Sequence, residues 1–244
     1  MFCLLRSRWL AVLLWITVAA GPVLAGDGSG VAHAQKTPSY ILIGFVGGFV
    51  RRDNPHHGPV QVAERLQREL PDGAYVQIFE NRHTKNAYRT ILRLLDHDAD
   101  GTLSPQEKAG AHIILFGQSW GGAAVVQLAR DLHRVGVPVL LTVQVDSVRK
   151  LWQSDKVIPA NVAEAVNFYQ THGLIHGQRQ IQAADPSRTE ILGNYRFDYT
   201  QNPVHCDSEL SWYDRLFTPG HAQSECDPHL WAEVEDLVRG RIAQ

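Results

Sequence analysis

The sequence lacks an excess of charge of either sign. Its 23 lysines and arginines are balanced by 25 aspartates and glutamates, and the formal net charge is −2. Nucleic-acid-binding domains usually carry a basic excess or a basic face, and this composition offers none. We therefore expect no nucleic-acid partner.

The sequence also lacks, near its start, an apolar run long enough to span a bilayer comfortably. The run at 9–20 has twelve residues, two arginines precede it, and small-residue sites ending in Ala25 and Ala34 follow it. This pattern is typical of a secretory signal, although an uncleaved N-terminal anchor is the alternative. We expect 1–34 to be signal peptide and linker, cleaved after Ala25 or Ala34. The mature protein is then secreted or periplasmic, with no stable membrane span.

Internal repeats and later breaks in composition are absent as well, so 35–244 is expected to form one domain. Cysteine is scarce, with three residues in the chain. Cys3 does not follow the apolar run, which argues against a lipid-anchored cysteine. Export would leave Cys206 and Cys226 in an oxidising compartment, so we predict a disulfide between them, with two free thiols as the alternative.

Strand-like and helix-like segments alternate along the chain. The predicted strands are 40–45, 74–79, 112–116, 138–145 and 190–197, and the predicted helices are 59–70, 86–95, 119–135, 162–169 and 230–242. Continuous apolar runs such as 40–45 are typical of parallel strands that are covered on both faces. The alternation predicts an α/β fold with a mostly parallel sheet and helices on both faces.

A Gly-x-Ser-x-Gly motif, residues 117–121, joins a predicted strand to a predicted helix. A sharp turn there needs glycine on both sides of Ser119, because side chains would collide with the neighbouring strand and helix. The helix N-terminus offers free N–H groups to a developing oxyanion. We predict that Ser119 is a nucleophile, the alternative being a tight turn that contains a serine by accident.

The segment from Phe116 to Gly122 resembles the nucleophile elbow of the α/β-hydrolase superfamily. The resemblance implies an α/β-hydrolase fold and a serine esterase or lipase-like activity. It also implies an oxyanion hole, with one half formed by the backbone N–H of Trp120. The other half would come from Val46 or Gly47, in a glycine-rich loop that lacks the histidine of the His-Gly-Gly form. A plain strand-ending turn is the alternative for that loop.

A serine nucleophile needs a neutral imidazole to take its proton and an acid to orient that imidazole. The chain order in the superfamily is serine, acid, histidine. Asp146 ends a predicted strand, on the sheet edge where the elbow lies, and we favour it as the acid. Asp185 and Asp198 are weaker alternatives, and a helix or turn cap is the non-catalytic interpretation of Asp146.

The superfamily carries its histidine between the last strand and the final helix. Three histidines lie there, namely His205, His221 and His229. We favour His221, which is expected in a loop, whereas His229 is expected at the start of the terminal helix. The predicted disulfide would bracket His221 and hold its loop.

The segment from Asp96 to Glu107 resembles an EF-hand loop in its carboxylates, its central glycine and its final glutamate. The predicted calcium ligands are Asp96, Asp98, Asp100, Thr102 and Glu107. The resemblance implies a structural Ca²⁺ ion, with a solvated acidic loop as the alternative. We expect no cofactor for catalysis, because a serine mechanism needs no metal.

These features together favour a secreted serine hydrolase that cleaves an ester, or less readily a thioester or amide, through an acyl-enzyme on Ser119. The expected substrate is a small-molecule or lipid ester. Two other functions remain open from the sequence. One is an acyltransferase that uses the same site, and the other is a non-catalytic, calcium-stabilised binding or structural protein.

Overall fold

The structure, a computed structural model, describes residues 38–70, 73–151, 154–206 and 218–242. The chain divides into two units, Met1–Ala34 and Gln35–Gln244, and all described residues belong to the second. The predicted signal segment and its cleavage sites lie outside the described residues. Within the described part, no helix combines the length and apolar character that a membrane crossing requires.

Eight strands and six helices are described. The strands are β1 (Tyr40–Val46), β2 (Ala74–Glu80), β3 (Ile113–Gln118), β4 (Val139–Val145), β5 (Val157–Ile158), β6 (Val162–Tyr169), β7 (Gln182–Ala183) and β8 (Glu190–Arg196). The helices are α1 (Gly58–Glu69), α2 (Thr84–Leu95), α3 (Pro105–Ala109), α4 (Trp120–Arg134), α5 (Pro219–Cys226) and α6 (Pro228–Ile242).

Six of the strands form one sheet in the order β2-β1-β3-β4-β6-β8, and every neighbouring pair is parallel. Along the strands, alternate side chains pack into two hydrophobic cores on opposite faces of the sheet. One core contains residues of α2 and α4, and the other contains residues of α1 and α6. The predicted fold class, an α/β fold with a parallel sheet and helices on both faces, is confirmed.

One predicted element is wrong. Residues 162–169, predicted as a helix, form strand β6 between β4 and β8. The segment contains Ala163, Glu164 and Ala165, which favour a helix, but also valines and aromatic residues that suit a strand. Pairing on both sides decides the outcome, because a central strand satisfies its backbone groups against two neighbours.

Between β4 and β8 the described residues form no helix, and the segments before and after β6 pack on the face of the sheet that also carries α2 and α4. Buried amide side chains of the strands bind its backbone directly. Gln144 donates to the carbonyl of Asp155 at 2.9 Å, and Asn167 donates to that of Gln178 at 2.8 Å. Polar residues inside β4 and β6 therefore anchor an irregular segment, which includes the short β5–β7 pair.

Candidate active site

The turn between β3 and α4 is as tight as the motif predicts. A Cβ atom on Gly117 would lie 2.6 Å from the carbonyl carbon of Gly121, and one on Gly121 would lie 2.3 Å from the carbonyl oxygen of Phe45. A Cβ atom on Gly122 would lie 2.6 Å from the Cβ of Ser147. Only glycine fits these approaches, so the predicted steric reason for the motif is confirmed.

Ser119 is the residue just before α4, and its backbone has φ 55° and ψ −125°. This is a costly conformation for a residue with a side chain, and such strain is typical of functional sites. Its N–H donates to the carbonyl of Val145 at 3.0 Å, which fastens the turn to β4. The hydroxyl is thus held at the carboxyl edge of the sheet, beside the first turn of α4.

His221 lies in helix α5, so the loop predicted around it is wrong. The helix begins at Pro219, whose fixed φ suits a first turn. The N–H of Gly220 donates to the carbonyl of His172 at 3.2 Å, and the Ser224 hydroxyl donates to the carbonyl of His221 at 2.7 Å. The first contact docks α5 against the loop that follows β6, and the second lies within the helix.

The structure brings Ser119, His221 and Asp146 together from three separate elements. The Nε2 atom of His221 is 2.9 Å from the Ser119 hydroxyl, and its Nδ1 atom is 2.6 Å from Oδ2 of Asp146. All three residues are buried, and Asp146 is only 1% exposed. If Nδ1–H donates to the carboxylate, Nε2 carries a lone pair and can accept the serine proton.

The carboxylate of Asp146 is held by two groups that the sequence analysis missed. The Gln170 amide donates to Oδ2 at 2.7 Å, and the N–H of Gly177 donates to Oδ1 at 2.5 Å. Gln170 is fully buried, and its own carbonyl accepts the N–H of His172, which fixes the orientation of the amide. These donors fix the position of the buried carboxylate.

The position of Gln170 could have been predicted from the sequence if residues 162–169 had been assigned as a strand and not as a helix. Gln170 directly follows β6, just as Asp146 directly follows β4, and the two strands are parallel neighbours. A strand at 162–169 would have put both polar residues at one edge of the sheet.

The two halves of the predicted oxyanion hole flank Ser119. Trp120 begins α4, so its N–H has no acceptor within the helix. Gly47 lies against the serine, because a Cβ atom on it would be 2.9 Å from the Cβ of Ser119. Val46 is the last residue of β1 and pairs with Glu80 of β2. Gly47 therefore lies directly against Ser119.

The alternative acids are engaged in local turns. Asp185 accepts hydrogen bonds from the N–H and hydroxyl of Ser187, and Asp198 accepts both groups of Thr200. These hydrogen bonds lower the pKa of both carboxyls. Neither arrangement supplies a contact to His221.

The alternative bases face the solvent. His205 is exposed beside Cys206 and lines a cavity of about 300 Å³ with residues of α5. His229 is exposed in the first turn of α6, where its N–H donates to the Asp227 side chain at 2.9 Å. His229 thus lies at the start of the terminal helix, as predicted, and Asp227 caps that helix.

The predicted disulfide between Cys206 and Cys226 is confirmed, with the two Cα atoms 5.7 Å apart. Cys226 is the last residue of α5. The Gln223 side chain of the same helix accepts the N–H of Val204 at 2.7 Å. The bridge therefore ties the helix that carries His221 to the segment before residue 207.

The predicted calcium loop begins directly after α2 and ends inside α3, ahead of β3. One carboxylate oxygen from each of Asp96, Asp98 and Glu107 lies within 4.8 Å of the others. The N–H groups of His97 and Ser104 donate to Glu107, and these bonds lower its pKa to about 2. The other predicted ligands, Asp100 and Thr102, are hydrogen-bonded to each other. Three of the five predicted ligands, all of them carboxylates, therefore lie close together.

Neither a family model nor a curated protein matches the chain. Solved structures with a similar chain path include a cutinase-like protein from Cryptococcus sp., at 16% identity, 47% coverage of this chain and a TM-score of 0.30. The chain spans only 56% of that protein. RedJ, with a PEG molecule bound in its active site, is 13% identical, with 67% and 85% of the two chains covered and a TM-score of 0.36. At these values neither likeness carries an argument about activity.

Proposed function

We propose that the protein is a serine hydrolase that cleaves an ester, or less readily a thioester or amide, through an acyl-enzyme on Ser119. The observation that carries the proposal is the hydrogen-bonded chain from Ser119 through His221 to Asp146. A hydroxyl, an imidazole and a buried carboxylate in this order activate a nucleophile at neutral pH.

In the first half-reaction, His221 takes the Ser119 proton while the serine oxygen bonds to the ester carbonyl carbon. The negative charge moves to the carbonyl oxygen, where the N–H of Trp120 and an amide of Val46 or Gly47 would stabilise it. His221 then gives its proton to the leaving alkoxide, which departs as the alcohol. The product of this half is the acyl-serine.

In the second half-reaction, water replaces the alcohol. His221 takes a proton from the water, and the hydroxide oxygen bonds to the acyl carbon. Collapse of the second tetrahedral intermediate breaks the bond to Ser119, which recovers its proton from His221, and the carboxylic acid leaves. Asp146 stays ionised throughout and stabilises the imidazolium that forms twice per turnover.

The proposal includes export of the protein. The signal-like start of the sequence and the disulfide between Cys206 and Cys226 support a secreted or periplasmic location, because disulfides persist in oxidising compartments. It also includes a structural Ca²⁺ ion in the loop from Asp96 to Glu107. The gathered carboxylates of Asp96, Asp98 and Glu107 fit a hard cation that prefers oxygen ligands.

Turnover of p-nitrophenyl esters of increasing chain length tests the hydrolase proposal. We expect hydrolysis by the wild type and a fall of at least about 10⁴-fold in kcat for Ser119→Ala. Ser187→Ala, which removes an exposed hydroxyl from a turn, is the matched control and should keep full activity. Undiminished turnover by Ser119→Ala would contradict the proposal. A rate that rises only when an alcohol is added as acceptor would indicate acyl transfer instead.

A further inference from the structure

Exposed apolar side chains are concentrated at the carboxyl edge of the sheet. Five large hydrophobic side chains are exposed in the part of the chain that the structure describes: Phe49, Leu151, Leu174, Ile175 and Tyr195. The first four belong to the loops that follow β1, β4 and β6, and we call these four the apolar rim. Leu151 is 88% exposed, Phe49 85% and Leu174 79%, which is far from the usual position of such side chains.

The apolar rim borders the candidate active site. Parallel strands end at one edge, so the three loops lie on the same side as Ser119. The ring of Phe49 packs edge-on against Trp120, the residue next to the serine, with centroids 5.5 Å apart. The carbonyl of Ile175 accepts a hydrogen bond from Gln170, which also binds the Asp146 carboxylate.

The three loops are fastened to one another. The Asn81 side chain donates to the carbonyl of Gly48 at 2.5 Å and accepts a hydrogen bond from Lys150 at 2.5 Å, so it joins the first two loops. The N–H of Gln178 donates to the carbonyl of Ser147 at 2.8 Å, which joins the second loop to the third. The apolar side chains thus project from a connected base.

The same loops are strongly basic, although the whole chain is slightly acidic. Segments 47–57, 147–151 and 170–180 contain five lysines and arginines, namely Arg51, Arg52, Arg149, Lys150 and Arg179. The one acid of these segments is Asp53, which is paired with Arg51, and the two other acids of the loop after β4, Asp146 and Asp155, are buried. Proteins bind anionic lipid surfaces with exposed apolar side chains beside cations. The apolar side chains enter the acyl region of the lipid, and the cations contact the anionic headgroups.

We propose that the apolar rim and its flanking cations dock the protein on an anionic lipid surface, with Ser119 facing the lipid. The positive charge of the three loops favours an anionic lipid surface over other binding partners. The functional role of this docking rests on the proposed function, because an esterase docked in this way meets ester groups at the lipid surface. A protein partner seated on the same tips would cover the site and deliver no substrate.

Co-sedimentation with vesicles of ether-linked lipids tests the inference, because these lipids bind but cannot be hydrolysed. One vesicle contains phosphatidylcholine alone, and the other contains phosphatidylglycerol as one third of its lipid. We expect the wild type to bind the anionic vesicle more tightly and to be released by salt, which screens the headgroup charge. Arg52→Gln with Arg149→Gln should weaken this binding about 25-fold, at about fivefold for each charge.

Matched variants separate charge from apolar insertion. Leu151→Ser with Leu174→Ser should weaken binding about tenfold for each side chain. Arg68→Gln removes an exposed charge from the last turn of α1, away from the loops, and should bind like the wild type. Equal binding to both vesicles, no binding, or equal effects of all the charge variants would overturn the inference. So would self-association of the wild type that the leucine variants abolish.

The vesicle assay and the proposed function fail separately. Binding requires no turnover. A protein that binds anionic vesicles but cleaves no ester would therefore support the docking surface and contradict the proposed hydrolase function. A protein that cleaves a soluble short-chain ester but does not bind vesicles would support the proposed hydrolase function and contradict the docking surface.

Discussion

Backbone strain at single residues sets the geometry of the site. Within the described residues, three non-glycine residues have positive φ, and two of them are Ser119 and Asp146. Each follows directly on the end of a parallel strand, where the chain turns sharply. Such conformations persist only where the surroundings over-determine them, so the strained backbone points both side chains at His221.

Gln170 acts at the residue scale as a positioning residue for Asp146. Replacement by leucine removes a hydrogen bond to a buried charge, which is worth about 1.5–3 kcal/mol. We expect Gln170→Leu to lower kcat by about 10- to 100-fold with little change in KM. The Asp146 carboxylate would also bind the imidazolium more strongly, so the pKa of His221 should rise. The acid limb of the pH–rate profile is the fall in rate at low pH, where His221 is protonated and inactive. This limb would then move to higher pH.

A buried amide on β6, the strand that Gln170 directly follows, provides the control for Gln170. Asn167 donates to Gln178 and to Asn194 but makes no hydrogen bond to Asp146. Asn167→Leu should lower the free energy of unfolding while the acid limb stays where it is. Equal displacement of the limb in both variants, or in neither, would mean that Gln170 has only a structural role.

At the scale of elements, helix α5 holds the base, and the disulfide holds α5. A bridge that closes a loop of 20 residues contributes about 3 kcal/mol in the chain-entropy model. We expect reduction to lower ester turnover before the circular dichroism of the fold changes, because α5 can shift while the sheet stays intact. Parallel loss of turnover and dichroism would contradict this. A Cys206→Ala, Cys226→Ala protein should not respond to reductant.

The acidic loop is a second element whose effect can be isolated. It precedes β3, whereas Ser119 follows β3, so a six-residue strand, about 20 Å, separates the two. Calcium at a hundred times its Kd should stabilise the fold by about 2.7 kcal/mol and raise the Tm by about 5–10 °C. Thermal melting with calcium and with EDTA measures this.

Variants assign the calcium effect to the loop. Asp98→Asn should abolish the rise in Tm, whereas Asp236→Asn, which neutralises an exposed acid on α6, should keep it. An unchanged Tm in EDTA would leave the segment from Asp96 to Glu107 a solvated acidic loop. The rate of ester cleavage should change little with calcium at temperatures well below the Tm.

Local patterns predicted most of the elements, and non-local pairing explains where they failed. The strand at 40–45 and the helix at 59–70 are visible in their own residues, since apolar runs and helical spacing are local signals. Strand β6 is not visible in this way, because its state depends on β4 and β8. The same error hid Gln170.

At the scale of the whole molecule, the parallel sheet explains why three distant residues meet. Ser119 follows β3 and Asp146 follows β4, and parallel pairing brings both strand ends to one edge. His221 comes from a helix 75 residues after Asp146, and no sequence spacing could specify that contact. The serine was therefore predictable from its motif and the acid from its strand. Among His205, His221 and His229 the sequence order favours His221, and the fold shows its contact with Asp146.

Labelling with a fluorophosphonate probe tests the central claim, that Ser119 is an activated nucleophile, most directly. The account predicts one adduct per folded protein by intact mass, located on Ser119. It also predicts slow labelling in Asp146→Asn, whose imidazole is wrongly oriented, and none in Ser119→Ala. A folded wild type that takes up no probe, or a Ser119→Ala protein that is labelled as fast as the wild type, would contradict it.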